Sequence, residues 1–146
     1  MTTEVTTPTD TEIRIERVFE APRERVFAVW TDPELIPEWW SDNTVVEELD
    51  VRAGGRWRFR TDYGVIEGEF HEVVPPERIV QTFQNHVQTL EFEDLGERTK
   101  LVQTMRFDST EDRDTTMGYG VAKGAEGGFA RVDALLAKQS GNMEAQ

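Results

Sequence analysis

Between Val45 and Phe107 the chain reads as a nearly unbroken succession of short strands separated by tight turns. The segments 45–51, 57–61, 66–74, 79–84, 87–93 and 99–107 are punctuated by Ala53-Gly54-Gly55, Asp62-Tyr63-Gly64, Pro75-Pro76 and Gly96-Glu97. Parallel strands need a long crossover, so connections this short predict mostly antiparallel pairing. The alternation is clearest where Trp57, Phe59 and Thr61 interleave with Arg56, Arg58 and Arg60, giving one apolar and one cationic face. A sheet that is apolar on one face must bury that face under a second layer.

The covering elements flank the run. Ile13, Ile15 and Phe19 alternate with Arg14, Glu16 and Glu20 as in a strand, with Arg17 falling on the apolar parity. Pro22 suits a first helical position, and Val26, Phe27 and Trp30 recur at helical spacing. Asp32-Pro33 closes that helix and opens a second short one through Glu34, Leu35 and Ile36. In the Glu38-Trp39-Trp40 segment that follows, Trp40 is expected to pack inward. A long helix is predicted over residues 115–138. Met117, Val121, Ala125, Val132, Leu135 and Leu136 lie in one stripe of it, opposite Lys123, Glu126 and Asp133. Residues 1–11, polar and Thr-rich, read as a disordered tail, residues 12–139 as one domain, and 140–146 as a fraying end.

Composition narrows the function classes. Sixteen Lys and Arg against 29 Asp and Glu give a net charge of -13. That field repels phosphates, so nucleic acid and anionic membranes are poor partners. Solubility or a salt-rich source each accounts for the acidity. With no cysteine, disulfides, thiolate metal sites and cysteine nucleophiles are excluded. The start lacks the basic and apolar pattern of a signal peptide, and no apolar run reaches membrane-spanning length. The expected location is cytoplasmic, without membrane insertion.

Gly118, Gly120, Gly124, Gly127 and Gly128 crowd the first half of the predicted long helix. Each costs about 1 kcal/mol relative to alanine in a helix interior. Gly128 falls on the apolar stripe, where a large side chain would fill the core. Close helix–sheet contact or a loose first turn explains this, and so does a space left open toward the sheet. The Gly120, Gly124, Gly127 row also permits close approach of a second helix, so monomer and homodimer both remain open.

Specific words accompany this order of elements. Arg17-Val18-Phe19-Glu20-Ala21-Pro22 precedes Arg25-Val26-Phe27 and Trp30-Thr31-Asp32-Pro33-Glu34. Glu38-Trp39-Trp40, Gly54-Gly55-Arg56-Trp57, Pro75-Pro76-Glu77-Arg78-Ile79-Val80 and Phe92-Glu93-Asp94-Leu95-Gly96 follow. Together they resemble the activator-of-Hsp-ninety-ATPase-homologue-like branch of the START-like (SRPBCC) superfamily, over nearly the whole chain after the tail. The resemblance implies an α+β helix-grip fold, in which a curved antiparallel sheet of six or seven strands wraps a long C-terminal helix. Two short helices follow the first strand, and a deep apolar cavity is implied between sheet and helix. Relatives bind lipids, polyketides, plant hormones or other apolar molecules; some are cyclases or dehydratases, and the eukaryotic namesake stimulates a chaperone ATPase. Fold alone does not choose among these.

Phe27, Trp30, Trp40, Trp57, Phe59, Phe70, Phe83 and Phe92 lie on the apolar parity of their elements. They form an ordinary core, a pocket wall, or both. Met105, Met117, Tyr119 and Val121 are candidates for the mouth or floor of such a pocket. Arg17, if it points inward, is either a ligand anchor or a charge paired within the protein. Glu67, Glu69 and His71 share one strand face and suggest a metal or acid–base set. Pairing with Arg56, Arg58 and Arg60 on the neighbouring strand explains them more simply, so no metal, cofactor or catalytic set is expected. His86 reads as a surface-loop residue. The best-supported expectation is a binder of a small hydrophobic or aromatic molecule. The alternatives are a cyclase- or hydrolase-type enzyme using Arg17, Tyr119 or Glu72 in the same cavity, and a cochaperone-like interaction module.

Overall fold

A computed structural model of the chain describes residues 3–83 and 86–144. Strands β1 (Glu4–Thr6) and β2 (Glu12–Phe19) lead into helices α1 (Arg23–Thr31) and α2 (Ile36–Trp39). Six strands follow: β3 (Val45–Leu49), β4 (Arg56–Thr61), β5 (Gly64–Val74), β6 (Arg78–Phe83), β7 (His86–Asp94) and β8 (Thr99–Phe107). Helices α3 (Thr110–Gly118) and α4 (Val121–Glu144) complete the chain. The strands form one sheet in the order β1-β2-β8-β7-β6-β5-β4-β3, every neighbouring pair antiparallel. The short turns between β3 and β8 dictate this arrangement, and β2 closes it by pairing with β8 from Glu12↔Arg106 to Phe19↔Thr99.

The sheet divides its faces as the alternation requires. Its inner face carries Ile13, Ile15, Phe19, Trp57, Phe59, Phe70, Ile79, Leu90, Phe92 and Leu101, all buried. Val26, Phe27 and Val29 of α1 and Val132, Leu135 and Leu136 of α4 join the same core. A buried hydrogen bond from Thr99 Oγ1 to the Ala21 carbonyl, 2.7 Å, ties the start of β8 to the entry of α1. Gly68 is required for this packing. A Cβ there would fall 2.7 Å from the Trp57 indole nitrogen and 2.1 Å from the Thr82 carbonyl oxygen. The outer face is laced with ion pairs: Arg58 with Glu47 at 3.2 Å and Glu67 at 3.7 Å, Arg60 with Glu47, and Arg78 with Glu72 and Glu91 at 3.4 and 3.3 Å. Exposed pairs of this kind contribute about 0–1 kcal/mol each, so they set register and solubility more than stability.

Several expectations are corrected. The sheet has eight strands rather than six or seven. The extra one is β1, inside the segment expected to be disordered: Val5 pairs with Ile15 and packs on the core. Its Val- and Thr-rich composition favours an extended, half-buried edge. The expected helix over residues 115–138 is two helices. The chain turns at Gly120, whose φ of +81° is left-handed and favours glycine. Helix α4 then runs to Glu144, past the fraying point expected at residue 140.

Candidate functional site

A cavity of about 710 Å³ opens between the inner face of the sheet and the first half of α4. Its floor is built by alternate residues of four strands: Ile15 of β2, Gln103 and Met105 of β8, His86 and Gln88 of β7, and Phe83 of β6. Trp30 of α1 and Trp39 and Trp40 at the end of α2 form one wall. Thr116, Tyr119 and Gly120 line the α3–α4 turn, and Val121, Gly124, Ala125, Gly128 and Phe129 of α4 roof the space. The volume lies within the range of small-molecule sites, about 300–1,000 Å³.

The roof explains the glycines. Gly120, Gly124 and Gly128 recur every four residues along the face that meets the cavity. A Cβ added at Gly124 or Gly128 would meet nothing within 4 Å. Neither close helix–sheet contact nor backbone strain demands glycine at these two positions; they face open space.

The wall is a continuous aromatic belt. Trp30 meets Trp39 at 5.0 Å between ring centroids, Trp39 meets Trp40 at 5.1 Å, and Trp40 stacks on Phe83 at 5.8 Å. Phe83 stacks on His86 at 5.3 Å, and His86 meets Phe107 at 4.8 Å. Trp39 is locked by a hydrogen bond from its indole nitrogen to the Val29 carbonyl, 3.0 Å. Trp40 packs inward against the core as expected, Trp39 is the more buried of the two neighbouring tryptophans, and both face the cavity.

His86 was expected in a surface loop and is instead buried, as the first residue of β7. The strand period puts it on the same face as Gln88 and Leu90. Burial among apolar rings pushes its imidazole down to about 4 from 6.5, so it is neutral at ordinary pH.

Of the residues expected to line a pocket, Trp30, Trp40, Phe83, Met105, Tyr119 and Val121 do so. Phe27 and Phe92 contact each other edge to face at 5.3 Å in the core and do not line the cavity. Trp57, Phe59 and Phe70 border a separate space of about 20 Å³, too small for an organic ligand. Met117 packs at the margin of the core. Arg17 does point inward, as its parity required, but it is turned away from the cavity. Its guanidinium is paired with Asp133 of α4, donates to Thr3 Oγ1 at 2.6 Å and lies 5.7 Å from the centre of the Phe19 ring. Asp133 had been assigned to the solvent side of its helix; an inward arginine on a strand is the signal that some acid on the covering helix must turn toward it.

Ile15, Trp39, His86, Gln88, Gln103, Thr116, Gly120, Gly124, Ala125, Gly128 and Phe129 line the cavity without having been singled out as binding residues. The parity of β7 and β8 was the available signal for the two glutamines. Glu67, Glu69 and His71 are exposed on the outer face, with Glu67 opposite Arg58 and Glu69 opposite Arg56. Among the described residues, no group of three His, Asp or Glu side chains is placed to hold a metal ion, and no helix is long and apolar enough to cross a membrane.

Comparisons with known proteins agree with this architecture. A protein from Rhodobacter sphaeroides has a similar structure, with a TM-score of 0.84 and 21% identity over 94% of this chain and 99% of its own. Protein Ms6760 from Mycobacterium smegmatis gives 0.84 and 22%, covering 93% and 98%. An HSP90 activator from Plasmodium falciparum gives 0.67 and 22%, covering 87% and 96%. No curated protein is similar enough in sequence to count as a relative. The family described as activator of Hsp90 ATPase homolog 1-like protein matches residues 20–137, and this chain, with its helix-grip fold, belongs to that family.

Proposed function

We propose that the protein binds a small hydrophobic or aromatic molecule between the sheet and α4. The observation that carries this is the roof. Two glycines without a steric reason face an open cleft of about 710 Å³ between helix and sheet, the size of a small-molecule site. Each glycine weakens the helix by about 1 kcal/mol, so keeping the space open is costly. Trp30, Trp39, Trp40, Phe83, Met105, Tyr119, Val121 and Phe129 supply an apolar, partly aromatic lining suited to such a ligand.

The test is a thermal-shift and native-mass screen of lipids, flavonoids and polyketides against the wild type and a Gly124→Leu/Gly128→Leu variant that fills the space. Ligands are expected to stabilise the wild type and not the filled variant. Absence of any ligand-dependent shift, or equal shifts in both proteins, overturns the reading.

The name of the family and the description of the Plasmodium relative favour a second reading, an interaction module acting on a chaperone. The net charge of -13 suits a basic partner surface. Salt-sensitive stimulation of an Hsp90-type ATPase, unaffected by filling the cavity, would favour this reading over the first.

A further inference from the structure

The cavity is apolar along its tryptophan wall and polar along one strip of its floor. Gln88 of β7 and Gln103 of β8 lie on adjacent strands, offset by one step of the ladder: Gln88 sits opposite Met105, and Gln103 opposite Leu90. Side chains related in this way stand about 7–8 Å apart. The Gln88 side-chain oxygen accepts a hydrogen bond from Gln81 Nε2 at 2.9 Å, which leaves the Gln88 amide hydrogens to donate. Among the described residues the Gln103 carboxamide has no side-chain hydrogen-bond partner, so it offers both a donor and an acceptor to the cavity.

No Asp, Glu, Lys or Arg is among the described residues that line the space. The nearby buried cation, Arg17, is neutralised by Asp133. His86 is held neutral by its apolar surroundings. A carboxylate or ammonium brought into this space would lose its hydration and gain no opposite charge, whereas a neutral polar group would exchange water for carboxamide.

We propose that the occupant is an uncharged molecule with an aromatic or aliphatic body and one neutral hydrogen-bonding head, a ketone, amide or hydroxyl, docked on the carboxamides of Gln103 and Gln88. This rests on the cavity being a binding site and specifies the ligand class it selects.

The experiment uses the full chain and a neutral fluorescent probe, N-phenyl-1-naphthylamine. The probe is displaced by matched pairs that differ only in the head: 2-acetylnaphthalene against 2-naphthoate, and decanamide against decanoate. The neutral member is expected to displace the probe at about tenfold lower concentration or better, since the carboxylate finds no partner inside. The preference should persist in ~1 M NaCl, where screening acts over about 3 Å and the net charge of the protein no longer repels anions from afar. Gln103→Leu should weaken displacement by the ketone and amide about fivefold, the order of one lost hydrogen bond, once corrected for the probe affinity measured in that variant, with circular dichroism checking that the variant is folded. Gln103→Lys should narrow or invert the preference in favour of the carboxylates.

Carboxylates displacing the probe as well as their neutral partners, or a Gln103→Leu variant indistinguishable from wild type, would overturn the assignment of the head group while leaving the cavity reading intact. Failure of the probe to enter the wild-type protein would overturn both.

Discussion

The two halves of α4 share a helix and an apolar period, yet they meet the sheet differently. Toward the second half, beyond the cavity-lining Phe129, the side chains of Val132, Leu135 and Leu136 are buried. Asp133 reaches Arg17 on β2, and Arg25 of α1 donates to the Leu136 carbonyl at 2.8 Å and to the Gln139 side chain at 3.3 Å. In the first half, the inward positions are Val121, Gly124, Ala125 and Gly128, and beneath them is space. The two halves differ in side-chain volume: large buried residues where the interface is closed, glycine and alanine where it is open. The helix-weakening residues are concentrated where it stays open.

The largest expected effect tests the closed half. Leu136→Ala should cost about 2–5 kcal/mol in urea unfolding, because it removes buried methyl groups from a packed site. Val121→Ala, over the cavity, should cost under about 1 kcal/mol, since fewer contacts are lost. Equal losses at the two positions would break the comparison.

A second test uses pH. The folded-state pKa of His86 is about 4 against 6.5 for the free side chain. Below pH 6.5 the unfolded chain therefore takes up a proton that the folded protein resists. Stability contributed by this difference is fully present above pH 6.5 and is lost as pH falls toward 4. The wild type should lose up to about 3 kcal/mol across that window through His86 alone. His86→Gln should remove this part of the slope, as read by urea midpoints at pH 7, 5.5 and 4.5.

Asp133→Ala should cost about 1–2 kcal/mol. It leaves the buried Arg17 guanidinium uncompensated, an effect moderated because the aspartate itself is 37% exposed. Arg17→Met combined with Asp133→Leu should recover much of that loss, with the double-mutant coupling as the measurement.

The smallest effect has the opposite sign. Gly124→Ala and Gly128→Ala should each raise stability by about 0.5–1 kcal/mol, because the added methyl meets open space and the helix gains propensity. A loss at either position in thermal or urea unfolding would show that the roof sits lower than described.

Much of the architecture was legible in the sequence because it rests on local signals. Alternation along β4 and short turns from β3 to β8 specify an antiparallel sheet, and Pro22 and Asp32-Pro33 mark the limits of α1. The break at Gly120 was harder to see. Five glycines in eleven residues blur the turn, and only a backbone angle identifies the one that turns. Strand β1 was hidden because a three-residue edge strand has too little periodicity to stand out. The site was legible in kind and less so in detail. Parity and helical spacing separate inner from outer residues, so Trp30, Phe83 and Met105 were read as inward, and they line the cavity. It does not say which inner residues lie under the open half of α4 and which under the closed half, so Phe27 and Phe92 were grouped with them. That distinction depends on where the helix crosses the sheet, a long-range property absent from any single segment.

Helix α4 is held the way a cantilever is held. Its root is bolted to β2 and α1 through Asp133 and the Leu136 carbonyl, and its leading end joins the rest of the chain through the Gly120 turn. Deflection of such a beam grows with distance from the clamp. On the proposed binding role, occupants of different girth would be accommodated by tilting the turn around Ala122 and Lys123 while the Asp133 turn stays fixed. Amide hydrogen exchange should be fastest at the leading end, slow toward Leu135, and become more even along the beam once the space beneath it is loaded.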